Sequence, residues 1–318
     1  MNDTLSHRKR ALLALKRQQP DYIPTFELVF EETERDFHGR TFYGRIRPPE
    51  SGGLTEKAIC EYNARLYLDI AKKFEHSIIY VRPFLWPYER HYRQVSEMIK
   101  ILRDLSGDEF CIMAPGDPTF RVPADPMEFT MQMYDAPESL KQKAQRSVNE
   151  LIPIYEIMIK ADADGFVFTS DYALNNGTFL APEQFADFIT PYLSCAVKEV
   201  HSLGGVVIKH SDGNLMKVMD QLVEAGIDAL HSIDPMAGMD IKYIKEKYGS
   251  KICLCGNVHC AWLQTGTPEQ IRSSAEYCLK YAKPHGGYIF STSNCVFKGM
   301  PLKSYDLIHN IWKEKRYY

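Results

Sequence analysis

A chain of 318 residues that is 45% hydrophobic and 25% charged has the composition of an ordinary globular protein, long enough to bury one large core without help. Its formal net charge of -3 has no basic stripe behind it, which argues against a nucleic-acid partner. The apolar run Ala11 to Leu15 is too short for a signal-peptide core or a membrane span, and eight cysteines without paired spacing read as thiols, so a cytoplasmic protein with no membrane association is expected.

In chain order, short runs rich in β-branched and aromatic residues predict strands near Ile23 to Val29, His76 to Val81, Glu109 to Ala114, Asp164 to Phe168, Gly205 to His210, Asp228 to Ser232, Lys251 to Cys255 and Gly287 to Ser291. Helical stretches lie between them. Ala181-Pro182-Glu183 opens a helix with proline in its first turn, and Phe185, Phe188, Ile189, Tyr192, Ala196 and Val200 continue its apolar stripe to Gly204-Gly205. The next helix runs from Leu215 to Glu224 and stops at Gly226. Later, Thr267-Pro268-Glu269-Gln270 offers a cap, a proline and a capping-box glutamine. Eight strands alternating with helices predict an α/β fold, a (β/α)8 TIM barrel spanning residues 1–318 as one domain, with an N-terminal helix and an irregular, charged insertion near 31–54.

Barrels of this kind place their chemistry at the carboxyl ends of the strands, so the residues at those exits are the candidates. They are Glu27, Arg82, Asp117, Asp171, His210 with Asp212, Asp234, Asn257 and Cys295. His210 and Asp212 follow one apolar strand and Cys295 follows another. If both exits open on the same end of the sheet, the three can share a zinc ion as nitrogen, oxygen and sulfur ligands. Asp171, Glu27 and Asp234 are the expected acid-base groups, while Arg82, Tyr172 and Asn176 are expected to touch substrate. Each residue also has a plainer role. Asp212 can cap the helix that follows, Cys295 can be an inert rim thiol, Glu27 and Arg82 can pair across strands, and Asp171 and Asn176 can order the loop from Ser170 to Gly177. Trp86, Tyr88 and Tyr92 can wall a pocket or pack a loop.

These residues also carry a resemblance. Arg8 to Phe26 with Pro20-Asp21-Tyr22-Ile23-Pro24, Asp164-Gly165-Phe166 to Asp171, Ala181 to Phe185, Pro191-Tyr192, His210 to Asn214, Ala225 to Leu230, Leu254-Cys255-Gly256-Asn257 and Ser291 to Cys295 with Pro301 follow the order seen in the uroporphyrinogen decarboxylase superfamily. The chain resembles that superfamily over nearly its whole length. The resemblance implies a (β/α)8 barrel and two branches, heme-pathway decarboxylases and cobalamin-dependent methyltransferases. The decarboxylases carry an Arg-Gln-Ala-Gly-Arg motif near the first strand, whereas here that strand ends in Phe26-Glu27-Leu28. The methyltransferases use a zinc pattern His-x-Cys and a distant Cys, which maps onto His210, position 212 and Cys295. Position 212 is Asp in this chain.

The implied activity is zinc-assisted transfer of a methyl group between a small methylated substrate and a corrinoid (cobalamin). The corrinoid would be held by a partner protein, because the chain has no Asp-x-His-x-x-Gly attachment motif. Exchanging a thiolate for Asp212 makes the metal harder and favours an oxygen-bound methyl, as in an O-demethylase component. Two other functions fit the same residues. One is a metal-independent decarboxylase of a smaller acid, with Arg82 as its carboxylate anchor, and the other is a barrel that only binds a corrinoid protein.

Overall fold

The structure is a computed structural model in which residues 5–30, 42, 54–83, 91–296 and 299–318 are described. The predicted insertion near 31–54 and the aromatic residues Trp86 and Tyr88 therefore lie almost wholly outside the described residues.

Seven parallel strands form one curled sheet: β1 (Ile78–Tyr80), β2 (Cys111–Pro115), β3 (Gly165–Phe168), β6 (Val206–His210), β7 (Ala229–Ser232), β8 (Cys253–Val258) and β9 (Tyr288–Thr292). Each pairs with its sequence neighbour. Between β3 and β6 a small antiparallel hairpin stands apart, β4 (Ala173–Leu174) with β5 (Gly177–Thr178). Helices cross over between consecutive strands, as parallel pairing requires.

The expected first strand is only partly realised. Residues 23–27 make isolated bonds to both edges of the sheet: Phe26 N–H donates to Phe290 O at 3.2 Å, Phe290 N–H to Pro24 O at 2.9 Å, and Ser77 N–H to Thr25 O at 2.6 Å. No regular ladder forms. The architecture is thus α/β of TIM-barrel type with, among the described residues, seven strands in its sheet and not a closed ladder of eight. Proline at position 24 removes one of the donors a ladder would need.

Alternation sorts the strand residues into two cores. Phe26, Leu28, Ile78, Met113, Val167, Ile208 and Ile289 turn to the inside of the curl, where helix α1 (His7–Leu15) adds Ala11, Ala14 and Leu15. The other face of each strand, including Phe166, Val207, Leu230 and Leu254, packs against the helix layer. Helix α1 contacts β1, β2 and β9. Arg8 N–H bonds to Glu109 O, just before β2, so α1 closes the amino end and leaves the carboxyl end for chemistry.

One predicted helix is two. The stripe from Phe185 to Val200 divides into Pro182–Phe188 and Thr190–Ser202, with Ile189 off helical geometry at φ -121° and ψ -56°. Pro191 lacks the N–H that a continuous helix would use and restricts the residue before it. The helix expected from Leu215 begins only at Met219. The capping box at Thr267 and Gln270 is present, with bonds of 3.3 and 2.9 Å.

Candidate metal centre

His210 ends β6 and lies in register with His231 on β7, both continuing the inward-facing rows of Ile208 and Ala229. Their Nδ1 atoms are 2.8 Å apart, and His231 Nε2 lies 3.0 Å from Ser291 Oγ on β9. Burial pushes His210 down to about 3, and it pushes His231 well below the usual imidazole range. Both rings are therefore neutral at neutral pH.

Two carboxylates face the remaining nitrogen of His210. Asp212 follows the strand by two residues, in a turn where Gly213 has φ +85° and an added Cβ would come within 2.5 Å of the Ala173 carbonyl carbon. Glycine lets this turn sit against the hairpin. Asp171, at the base of that hairpin, accepts the Asp212 N–H on Oδ1 at 2.9 Å. Ser232 Oγ donates to Asp212 Oδ1 at 3.0 Å, and the Asn294 amide donates to Oδ2. His210 Nε2 is 3.7 Å from Oδ1 of both Asp171 and Asp212. That is too long for a hydrogen bond. It is close to the span of roughly 3.4 Å between two ligands of a tetrahedral cation with bonds of about 2.1 Å.

The three ligand atoms lie within 4.8 Å of one another. Burial and the neighbouring Asp171 charge lift Asp212 to about 7, so this pair of carboxyls is short of positive charge. Their side chains are 44% and 34% exposed, which leaves the cluster open to solvent. One imidazole nitrogen and two carboxylate oxygens, converging and reachable, fit a divalent cation such as zinc.

Below this cluster is a group that sequence reasoning passed over. Lys209 points to the opposite face from His210 and is wholly buried. Its Nζ donates to Asp117 Oδ2 and to Ser170 O, each at 2.6 Å, and lies 3.9 Å from the centre of the Tyr172 ring. Asp117 Oδ2 also accepts the Ser170 N–H at 2.8 Å. The ion pair thus holds both backbone atoms of the residue before Asp171. A lysine inside the run Val206-Val207-Ile208-Lys209 was the signal, since an apolar strand tolerates a charge only beside a buried partner.

The other candidates are placed as follows. Cys295 is half-buried beyond β9 and is not among the clustered ligand atoms; Asp171 takes the third place expected of it. Glu27 has the opposite parity to Phe26 and Leu28, so it faces the helix layer. There Thr292 N–H and Oγ1 donate to it at 3.1 and 2.5 Å, and Tyr305 bonds to it as well. Asp234 caps the short turn Pro235–Ala237 through Met236 N–H at 2.8 Å and accepts Gly213 N–H at 3.2 Å, which makes it a brace for the Asp212 turn. Tyr172 is fully buried, its hydroxyl 2.6 Å from Thr119 Oγ1, so it is packing and not substrate contact. Asn176 is exposed in the hairpin turn. Arg82 is half-buried just past β1, its N–H on the Tyr67 hydroxyl at 3.2 Å. A cleft of about 390 Å³ opens beyond β7 and β8, lined by Met239, Asn257, His259, Trp262 and Tyr277 and by none of the clustered residues. Among the described residues no helix is long and apolar enough to cross a membrane.

Comparison with known proteins agrees with this architecture. A solved methyltransferase from Methanosarcina mazei is 18% identical and aligns over 98% of this chain and 99% of its own, with a TM-score of 0.74. The 3-keto-L-gulonate-6-phosphate decarboxylase from Vibrio cholerae is 11% identical over 80% of this chain and 93% of its own at a TM-score of 0.41. D-psicose 3-epimerase is 8% identical over 81% and 90% at 0.44. Identities this low speak for fold alone, and the last two scores carry no argument. No curated protein matches the chain. The profile described as Uroporphyrinogen decarboxylase (URO-D) matches residues 89–314, well over half of the sequence and every regular strand after β1, and on that match the chain belongs to the uroporphyrinogen decarboxylase family.

Proposed function

We propose that this protein is a metal-assisted methyltransferase that moves a methyl group between a small methylated substrate, O-methyl by preference, and a corrinoid carried on a partner protein. The observation that carries it is the convergence of His210 Nε2 with the Asp171 and Asp212 carboxylates at an open strand end. Family membership and the likeness to a methyltransferase from Methanosarcina mazei support the same activity.

A methyl on an ether oxygen is a poor electrophile because its leaving group is a strong base. Zinc at the cluster would polarise that oxygen and stabilise the departing alkoxide or phenoxide, an effect worth several kcal/mol. Asp171 and Asp212 would supply carboxylate ligands at the half-exposed end of the cluster, and His210 would anchor its buried side. Asn294 and Ser232 keep Asp212 oriented by bonding its two oxygens. Because the carboxylates are open to solvent, a bulky corrinoid on another protein can approach them without the barrel unfolding.

The test is a panel of O-, N- and S-methyl donors given to the zinc-loaded protein with cobalt(I) cobalamin, followed by the absorbance change on cobalt methylation. Faster methylation from O-methyl donors is expected. Donor turnover without corrinoid would sink the proposal.

One observation favours a second reading. Asp212, lifted to about 7, can keep a proton near neutral pH and act as a general acid in a metal-free decarboxylation. Metal content of protein purified without chelators separates the two. About one zinc per chain, retained in Cys295→Ala and lost in Asp171→Asn, supports the transferase.

A further inference from the structure

The role of His210 as a ligand depends on which of its nitrogens carries the proton, and the atoms behind it decide this. The chain of contacts ends at a carbonyl: Ser291 Oγ donates its only hydrogen to Thr292 O at 2.7 Å. Facing His231 Nε2 at 3.0 Å, the serine oxygen can then only accept. His231 must therefore carry its proton on Nε2, which leaves its Nδ1 bare. That bare atom is 2.8 Å from His210 Nδ1, a separation that requires one proton between the two rings. The proton belongs to His210. Its Nε2 is in consequence unprotonated, aimed at two carboxylate oxygens 3.7 Å away.

The opposite chain of donors is disfavoured at both ends. It would take the Ser291 proton away from the Thr292 carbonyl and leave that acceptor without it. It would also place an N–H on His210 Nε2 with both candidate acceptors beyond hydrogen-bond reach. His231 and Ser291 are each wholly inaccessible to solvent, so water cannot replace a lost partner in the relay.

We infer that His231 is a positioning residue: together with Ser291 and the Thr292 carbonyl it locks His210 in the tautomer with Nδ1 protonated, so that Nε2 is delivered as a cation ligand. The ligand consequence rests on the metal-centre proposal above, whereas the tautomer itself does not. Register supplies the device, since His210 and His231 are paired on β6 and β7 and the curl brings Ser291 of β9 within reach of His231 across β8. A hydrogen-bonded partner behind a ligating imidazole fixes ring orientation and tautomer, and its loss costs about 10- to 100-fold in metal affinity.

Long-range nitrogen–proton NMR of metal-free, full-length protein labelled with ¹⁵N-histidine reads the tautomer directly, the His210 signals being identified by their loss in His210→Ala. A protonated Nδ1 and bare Nε2 are expected for His210, with the reverse pattern for His231. A protonated Nε2 on His210 overturns the inference whatever the metal does. Zinc titration of His231→Leu and His231→Gln then tests the consequence. The glutamine carbonyl can still accept from His210, so His231→Gln should stay within a few-fold of wild type while His231→Leu loses about 10- to 100-fold. Equal affinity in His231→Leu and wild type overturns a positioning role. If wild-type protein shows the bare Nε2 but takes no zinc, the tautomer inference stands and the metal-centre proposal fails.

Discussion

Glu27 and Asp212 are both carboxyls lifted by burial, to about 8 and about 7, and each has an imidazole nearby, yet they sit in opposite kinds of place. Glu27 lies behind the sheet, with Thr292 and Tyr305 bonded to it and His76 Nε2 2.9 Å from the same Tyr305 hydroxyl. Donors and acceptors there alternate, and both Glu27 and His76 are buried. Around Asp212 the alternation fails: a nitrogen lone pair and two carboxylates point at one another, and the space between them is open to solvent. A buried acid beside a histidine is therefore no sign of chemistry by itself. Acceptors that converge with no donor between them, though Ser232, Asn294 and the Asp212 N–H bond them from behind, are the feature that separates a site from a brace where a ligand can enter.

Four experiments bear on that contrast, beginning with the largest effect. Lys209→Met strips the partner from buried Asp117 beneath the open cluster and should cost about 3 to 5 kcal/mol in denaturant unfolding, because an uncompensated charge remains inside. Asp171→Asn should leave stability within about 0.5 kcal/mol, since its side chain is half-exposed, but weaken zinc by at least about 100-fold in a chelator competition. Equal zinc affinity would erase the distinction between the two clusters.

Tyr305→Phe acts on the buried Glu27 cluster. It should cost about 1 to 2 kcal/mol and leave zinc binding unchanged by the same competition. The smallest effect is in the pH dependence of Glu27. Its native value near 8 exceeds the ordinary 4.5, so between those values the unfolded chain has released a proton that the folded state retains. Stability from this group is full below about 4.5 and declines as pH rises toward 8. His76 and His309, pushed down to about 3 and about 4, act in the opposite sense but only below their ordinary 6.5. Melting curves from pH 6.5 to 8 should therefore fall for wild type and fall less steeply in Glu27→Gln, where Asp212 and His201, also raised, still contribute in the same sense. Parallel curves would mean that Glu27 is ionised in the folded protein.

The strands from Gly165 onward and the capping box at Thr267 were legible because apolar β-branched runs and caps are local signals. His210 and Asp212 were legible for the same reason, lying within two residues of a strand end. The third member of the cluster was not. Whether Asp171 or Cys295 reaches His210 depends on how far each loop travels after its strand, and the turn signature Asn175-Asn176-Gly177, although local and legible, does not say where the hairpin it makes will set Asp171. Glu27 was misplaced at the mouth because proximity to a strand end says nothing about which face a side chain takes; its neighbours Phe26 and Leu28 took the interior. Pro191, in contrast, is a helix breaker in plain sight that the continuous stripe from Phe185 to Val200 passes over.

The segment 23–27 joins residues far apart in the chain. Its bonds run to Ser77 on one side, to Phe290 on the other, and through the Ile23 backbone to Trp312 Nε1 and Arg316 O. During synthesis β1 therefore emerges long before β9 and the last helix, the partners that hold the segment in place. Until those late residues appear, two rows of unsatisfied backbone groups flank the growing sheet, the kind of edge that recruits other chains. Closure waits for β9 and the helix Leu302–Lys315, so loss of that helix should show first as aggregation during expression, before any defect in the metal centre can be measured.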